Sequence, residues 1–216
     1  MRPPEPCLVL DGSARVGVRV GVLRDGRWSG EGVAAEGALE ATFACAETAL
    51  RSAGLALADI RAFVVCVGPG SILGIRVAAL AARTWATLEP RPIFVWESLA
   101  AVAHASLASG RARPFVVAAE SRLQRWNTLV VPLTGDFAPP AELEPEQVRA
   151  LGLPVVTTTA SATALFPDAQ VVPAPWAVLP TLFAAADLLR PEAKPEALNP
   201  AATYATWNGE RHRGTA

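Results

Sequence analysis

The fold is decided by the stretch Val64-Val65-Cys66-Val67-Gly68-Pro69-Gly70-Ser71-Ile72-Leu73-Gly74-Ile75-Arg76. Its apolar beginning is typical of a buried strand, and the Gly-Pro-Gly sequence predicts a tight turn. Ser71 lies where a helix N-cap would lie, and the alanine-rich residues from there to 88 lack proline. The stretch therefore predicts a strand, a glycine turn and a helix. Such a turn either holds an anion at the helix N-terminus or lets two packed elements approach closely.

The residues before this unit predict a three-stranded meander followed by a helix. The strands are expected at residues 7–10, 16–23 and 27–33, and Asp25-Gly26 predicts a two-residue hairpin turn between the last two. A helix is expected over residues 37–53, where Leu39, Phe43, Ala46 and Leu50 recur at helical spacing.

The remaining elements are predicted from shorter patterns. In the first half, a strand at 93–95 and a helix at 98–109 complete the order βββαβαβα. The composition then shifts after Gly110, so we expect one subdomain over residues 1–110 and a second, with a proline-rich tail, over 111–216. The second half is expected to contain strands at 114–119, 125–131, 154–158 and 171–172, and helices at 144–151 and 177–190.

Composition narrows the function classes. The chain has 216 residues, of which 51% are hydrophobic and 18% are charged, and its formal net charge is -1. A substantial core is therefore expected, and strong nucleic-acid binding by a basic surface is not. The apolar stretches are interrupted too often to cross a bilayer, and the N-terminus lacks the order of a signal peptide. Only Arg211-His212-Arg213 clusters positive charge, and it is expected to be a solvated terminus.

The cysteines and histidines argue against thiol and metal catalysis. Cys7, Cys45 and Cys66 lie among apolar neighbours, so we expect reduced, buried thiols in a cytoplasmic protein. Zinc hydrolases need about three protein ligands, usually including histidine, and this chain has only His104 and His212. We predict no metal site and no catalytic residues, and His104 is expected to be a packed or surface histidine.

The glycine stretch resembles the signature of the TsaB (YeaZ) family, which is usually Gly-Pro-Gly-Ser-Phe-Thr-Gly followed by Ile or Leu and Arg. Here Ile72-Leu73 replaces the Phe-Thr pair. Four weaker similarities occur in the expected order, at 8–13 (with Gly12 where the family has Thr), 96–100, 117–122 and 199–213, the last resembling a tail with a Pro-x-Tyr element. The resemblance is strong over residues 7–110 and weak beyond them.

This resemblance implies the actin-like ATPase (ASKHA, ribonuclease H-like) fold, an α/β architecture of two subdomains with mixed β-sheets flanked by helices. It also implies a non-catalytic subunit that binds the enzyme TsaD, with the ATPase TsaE as a further partner. Together these proteins carry out N6-threonylcarbamoylation of adenosine 37 in tRNA. The catalytic paralogue has a metal-binding His-x-x-x-His pair, whose positions match Ser98 and Val102 here. ATP or ADP would then bind at a partner interface and not to this chain alone.

Three groups of candidate residues follow. The motif and the turn that positions the second helix are Gly68, Pro69, Gly70, Ser71, Gly74 and Arg76. The candidates for a partner interface, or for a homodimer through the same helices, are Leu39, Phe43, Ala78, Leu80, Ala82 and Arg83. Asp11 and Ser13 are a candidate vestigial phosphate site, although Asp-Gly most often only forms a turn. Arg76 opposes the helix dipole and is expected to meet a carboxylate or an anion.

Two alternatives remain open from the sequence. The chain could be a small actin-fold ATPase or kinase that uses Asp11 and the turn at 68–71 to bind ATP. It could also be a divergent TsaB homologue that keeps the fold without the modification role, because the Phe-Thr pair is replaced.

Overall fold

The computed structural model describes residues 2–15, 17–35 and 38–198. Val16, where the second strand was expected to begin, lies outside these residues. So do the Pro-x-Tyr element with Tyr204 and the cluster Arg211-His212-Arg213. Ala38 begins a helix, and its side chain is not described.

The first sheet has six strands in the order β11-β5-β4-β1-β2-β3. Its centre is β4, which is buried along its whole length and runs parallel to both neighbours, β1 and β5. The other pairings in the sheet are antiparallel. Asp25 and Gly26 form the β2–β3 turn with φ angles of 52° and 69°, which confirms the predicted hairpin. The strands are β1 (Cys7–Asp11), β2 (Val18–Arg24), β3 (Arg27–Ala34), β4 (Ala62–Gly68), β5 (Ile93–Glu97) and β11 (Arg190–Pro191).

Helices cover both faces of the first sheet. On one face, α1 (Ala38–Ala53) and α2 (Ile72–Leu88) enclose a core with side chains such as Leu8 and Phe63. On the other face, α3 (Ser98–Ala108) and α5 (Leu179–Ala185) cover the alternate residues of the same strands, including Val9. Covering both faces explains why β4 is an unbroken apolar run.

The second sheet has five strands in the order β10-β9-β6-β7-β8. Helix α3 also packs on this sheet, so it lies between the two sheets. Helix α4 (Pro145–Ala150) and a 3-10 turn at Ala160–Ala164 cover the opposite face. The strands are β6 (Phe115–Glu120), β7 (Trp126–Val131), β8 (Ala141–Leu143), β9 (Val155–Thr157) and β10 (Gln170–Val171).

The segment after the second sheet returns to the first sheet. The helix predicted over residues 177–190 is wrong in extent, because a 3-10 turn at Pro175–Val178 precedes α5 and the helix ends at Ala185. Residues 190–191 then extend the first sheet as β11. The second-sheet strands all follow residue 110, and residues 175–191 pack with the first sheet. The division into subdomains at 110/111 stays a prediction.

Candidate functional site

The glycine turn holds α2 against the loop that follows β1. A Cβ atom on Gly74 would lie 2.2 Å from the carbonyl oxygen of Gly12, and one on Gly70 would lie 2.2 Å from the carbonyl oxygen of Ser13. These are backbone atoms and cannot move aside as a flexible side chain could. Two of the motif glycines are therefore required by close packing of two loops.

The polar groups of this turn are paired with one another. The Ser71 N–H donates to the Ser13 carbonyl at 2.8 Å, and the Ser71 hydroxyl accepts from the Gly74 N–H at 3.4 Å, as an N-cap does. The Ser13 N–H donates to Asp11 Oδ1 at 2.8 Å, which is the ordinary turn role of an aspartate. The geometry favours the packing interpretation of the motif. A phosphate contact for Asp11 and Ser13 stays a prediction.

The outward side of α2 combines leucines with arginines. Leu73 and Leu80 are 68% and 60% exposed, and Arg76 and Arg83 on the same side are also exposed. The spacing of three, four and seven residues places all four on one face of the helix. Arg76 forms no ion pair with the residues that the structure describes.

For two of the candidate interface residues on α2, the prediction of an exposed position is wrong. Ala78 and Ala82 are fully buried in the core between α2 and the first sheet, so neither lies on a surface that a partner could reach. The physical reason is that the small side chains let α2 approach its own sheet closely. The alanines therefore mark the inward side of the helix.

Helix α1 extends this surface beside α2. Leu39 and Phe43 are about half exposed, although their spacing is that of an apolar stripe, because Ala41, Cys45 and Ala49 occupy the inward side instead. The Phe43 ring meets Trp85 of α2 edge to face, with ring centroids 5.9 Å apart. We call the exposed side chains of these two helices the outer face: Leu39, Phe43, Leu73, Arg76, Leu80 and Arg83.

A cavity of about 560 Å³, which we call the cleft, opens between the two sheets. Its lining includes Asp11, Ser13, Ser98 and Val102. The Ser98 hydroxyl donates to the Pro69 carbonyl at 2.6 Å, and Val102 is buried against the second sheet. At the cleft, Arg15 and Glu120 form an ion pair of 2.6 Å that connects the β1–β2 loop to the end of β6.

The three cysteines are buried, and His104 is half-buried. Cys7, Cys45 and Cys66 are free and buried, as expected, and burial raises the pKa of the Cys66 thiol well above its usual range. His104 lies against Phe137 with ring centroids 4.8 Å apart, and burial together with the charge of Arg113 lowers its pKa. Within the described residues, no three His, Cys, Asp or Glu side chains are grouped to hold a metal ion. None of the described helices is long and apolar enough to cross a membrane.

Comparison with solved structures identifies the architecture. YeaZ from Pseudomonas aeruginosa superposes with a TM-score of 0.63 at 22% identity, over 78% of this chain and 85% of that one. A second structure, an uncharacterized protein with similarity to peptidase YeaZ from the same organism, gives a TM-score of 0.64 at 21% identity, over 87% of this chain and 94% of that one. The chain has the YeaZ fold. The YeaZ fold is of the actin-like ATPase type, so the predicted fold class is confirmed.

Sequence comparison adds a match to one region of the YeaZ fold. The model of the family described as "TsaD: tRNA N6-adenosine threonylcarbamoyltransferase" matches residues 32–124, which is less than half of the chain. No curated protein matches the sequence. The matched region begins in β3 and contains α1, the glycine turn, α2 and α3, and it ends in the loop after β6.

Proposed function

We propose that this chain is a TsaB-like, non-catalytic subunit that binds a TsaD-like enzyme and supports N6-threonylcarbamoylation of adenosine 37 in tRNA. The YeaZ fold and the match to the TsaD family over residues 32–124 support the proposal. The observation that carries it is the outer face, which combines exposed apolar side chains with arginines on two adjacent helices.

The side chains of the outer face indicate which side chains a partner would place against it. Exposed large apolar side chains that lie together on a soluble protein mark interaction sites more often than isolated ones do. Leucine, phenylalanine and arginine suit an interface with an apolar centre and charged surroundings. The TsaD-like partner would supply apolar side chains opposite Leu73 and Leu80, and carboxylates opposite Arg76 and Arg83. The expectation that Arg76 meets a carboxylate is then met by the partner.

The residues at the start of α3 support a non-catalytic role. Ser98 and Val102 stand where the resemblance to the catalytic paralogue would require two metal-binding histidines. Ser98 already donates its hydroxyl to Pro69, and a valine side chain has no metal-binding atom. In this proposal the TsaD-like subunit carries out the transfer chemistry.

Further partners follow from the same proposal. A TsaE-like ATPase would join the complex, and ATP or ADP would bind at an interface with a partner. A homodimer would use the same outer face and would compete with the TsaD-like subunit for it. With a net charge of -1, this chain is not expected to hold tRNA strongly by itself, so tRNA would bind mainly through the partner.

The experiment is co-purification of this chain with the TsaD-like protein of the same organism, followed by size-exclusion chromatography with light scattering. We expect a stable heterodimer with the wild-type chain. The variant Leu80→Arg is expected to weaken it at least about tenfold, because a buried charge without a partner costs several kcal/mol at an apolar interface.

The matched control is Leu133→Arg, which introduces the same charge at a leucine of similar exposure (67%) that is remote in sequence from the outer face. It should leave the heterodimer intact, and both variants should keep the thermal stability of the wild-type chain. Failure of the wild-type chain to bind the TsaD-like protein, with and without ATP, would contradict the proposal. That result would instead favour the divergent homologue that keeps only the fold.

A further inference from the structure

A cavity of about 540 Å³, which we call the second cavity, opens at the opposite end of the second sheet from the cleft. Its wall is formed by the α3–β6 loop, by the residues just before β9 and by β10, so it lies where β6 and β9 begin. The cleft is lined by residues at which the same two strands end. Among the residues that the structure describes, the two linings have none in common, so the second cavity is a separate site.

Ser106, in the last turn of α3, places an unpaired hydroxyl in this wall. Leu99 and Val102 pack on the second sheet, and Ser106 follows them at helical spacing, so its side chain faces the same sheet. The residue is 3% exposed and lines the second cavity, yet its Oγ atom has no hydrogen-bond partner in the described structure. A buried serine in a helix usually bonds a carbonyl of the preceding turn, so an unpaired one is unusual.

The end of α3 brings an arginine to the same place. The Arg111 N–H donates to the Ser106 carbonyl at 3.0 Å. The Gly110 N–H donates to the Leu107 carbonyl at 3.0 Å, and Gly110 has a φ of 90°. This is the Schellman arrangement, in which a glycine in the left-handed conformation turns the chain past the helix end. Two helix carbonyls that would repel an anion are thereby paired, and Arg111 lies beside Ser106.

Two arginines in the lining carry charges that the described residues do not neutralise. Arg111 is half-buried and lies over the ring of Phe115, 5.6 Å from its centroid. Arg113 donates from Nη1 to the carbonyls of Pro132 and Gly135 at 3.2 and 2.9 Å, and these partners are neutral. Neither arginine forms an ion pair within the described part of the chain. No described residue of the lining is acidic, so the second cavity attracts an anion.

We propose that the second cavity binds a phosphate group through Arg111, Arg113 and the Ser106 hydroxyl. Guanidinium groups bind phosphate oxygens through paired N–H donors, and a serine hydroxyl donates to a further oxygen. A tetrahedral phosphate suits donors from a helix and from the loop after it, because its oxygens point in different directions. The phosphate belongs either to a free phosphate compound or to the backbone of an RNA. The outer face takes no part in this site, so the proposal does not depend on the proposed function.

The test is isothermal titration calorimetry of the full chain with inorganic phosphate, pyrophosphate and unmodified tRNA, in buffers of equal ionic strength. We expect saturable binding of at least one of these probes. Binding of inorganic phosphate or pyrophosphate identifies a free phosphate compound as the source. Binding of tRNA without binding of either small anion identifies the RNA backbone.

Two variants locate the bound phosphate. Arg111→Gln should weaken the binding at least about tenfold, and Ser106→Ala about threefold, because each removes a donor to the anion. Neither should lower the melting temperature of the free chain, since Arg111 has no ion pair to lose and Ser106 Oγ has no hydrogen bond to lose. Alanine is also the better helix former. A lower melting temperature of Ser106→Ala would mean that this hydroxyl stabilises the fold, contrary to the proposal.

The matched control is Arg19→Gln. It removes the same charge from an exposed arginine that lines the cleft and also forms no ion pair with the described residues. It should leave the affinity unchanged. Three outcomes would overturn the proposal: none of the three probes saturates the wild-type chain, Arg111→Gln or Ser106→Ala binds as tightly as the wild type, or Arg19→Gln weakens the binding more than Arg111→Gln, which would assign the anion to the cleft.

Discussion

Helices α2 and α3 are both rich in alanine, yet they lie in different surroundings. Helix α3 packs on the first sheet through Ala101 and on the second sheet through Leu99, Val102 and Ala103, so protein covers it on two sides. Helix α2 packs inward on the first sheet and leaves its outward side exposed. Alanine residues therefore mark a side of a helix that packs closely on another element. They do not show whether one side or two sides of the helix are covered.

Charged residues distinguish the exposed helix α2 from the covered helix α3. No residue of α3 from 98 to 108 carries a fixed charge, whereas α2 has Arg76 and Arg83 one above the other on its outward side. A charged side chain is almost never fully buried without a partner. In an alanine-rich helix, the charges therefore indicate the free side better than the small residues do.

The largest expected effect concerns the attachment of α2. Gly74→Ala should destabilise the protein by about 3 kcal/mol, because the new Cβ atom would overlap the Gly12 carbonyl and force two backbones apart. Helix propensity alone would predict a gain of about 1 kcal/mol, so the sign of the effect decides between the two explanations. The measurement is urea unfolding followed by circular dichroism.

A suitable control for that measurement is Gly135→Ala. Gly135 has a φ of 84° and open space around its Cβ direction, so alanine there suffers only the backbone penalty of about 1 kcal/mol. If the two substitutions lowered the free energy of unfolding equally, close packing against Gly12 would not be what holds α2.

An intermediate loss of stability is expected when a buried side chain of α3 is enlarged. Ala103 is fully buried between the helix and the second sheet, and Ala103→Leu should cost about 1–3 kcal/mol through overpacking. The same change at Ala44, on the exposed side of α1, should alter stability by less than about 0.5 kcal/mol. Both values come from the same unfolding experiment. A cost at Ala44 equal to that at Ala103 would remove the distinction between a covered and an exposed helix side.

The smallest effect is a pH dependence at the partly exposed side of α3. The pKa of His104 is lowered in the folded protein from 6.5, mainly by burial and also by Arg113. As the pH falls below about 6.5, the unfolded chain gains a proton before the folded chain does, so His104 contributes a loss of stability on acidification. His104→Gln should therefore show a smaller drop in melting temperature between pH 7.5 and 5.5. An unchanged or steeper drop would contradict this assignment.

Much of the first half could be predicted from local patterns. The strand, glycine turn and N-capped helix around residues 64–88 form as expected, because each signal lies within a few residues of the element that it controls. The Asp25-Gly26 hairpin is predictable for the same reason. The orientation of α1 was harder to obtain, because Leu39 and Phe43 at helical spacing are exposed and smaller residues face the sheet.

The candidate sites were less predictable, because they depend on contacts between remote residues. The sequence analysis indicated Leu80 and Arg83 as surface residues but gave no sign that Trp176 lines the same cavity as Asp11. The pair Arg15–Glu120 was missed for the same reason.

The stacking of Trp176 on Trp28 has a consequence for the order in which this chain folds during its synthesis. These two residues are 148 positions apart, and β11 completes the first sheet only at residues 190–191. A nascent chain that has released only residues 1–110 therefore exposes the face of the sheet that carries Val9, Val64 and Phe94. The first sheet is therefore completed only after the residues of the second sheet have been synthesised, and part of its face stays open to chaperones until residue 191 has emerged.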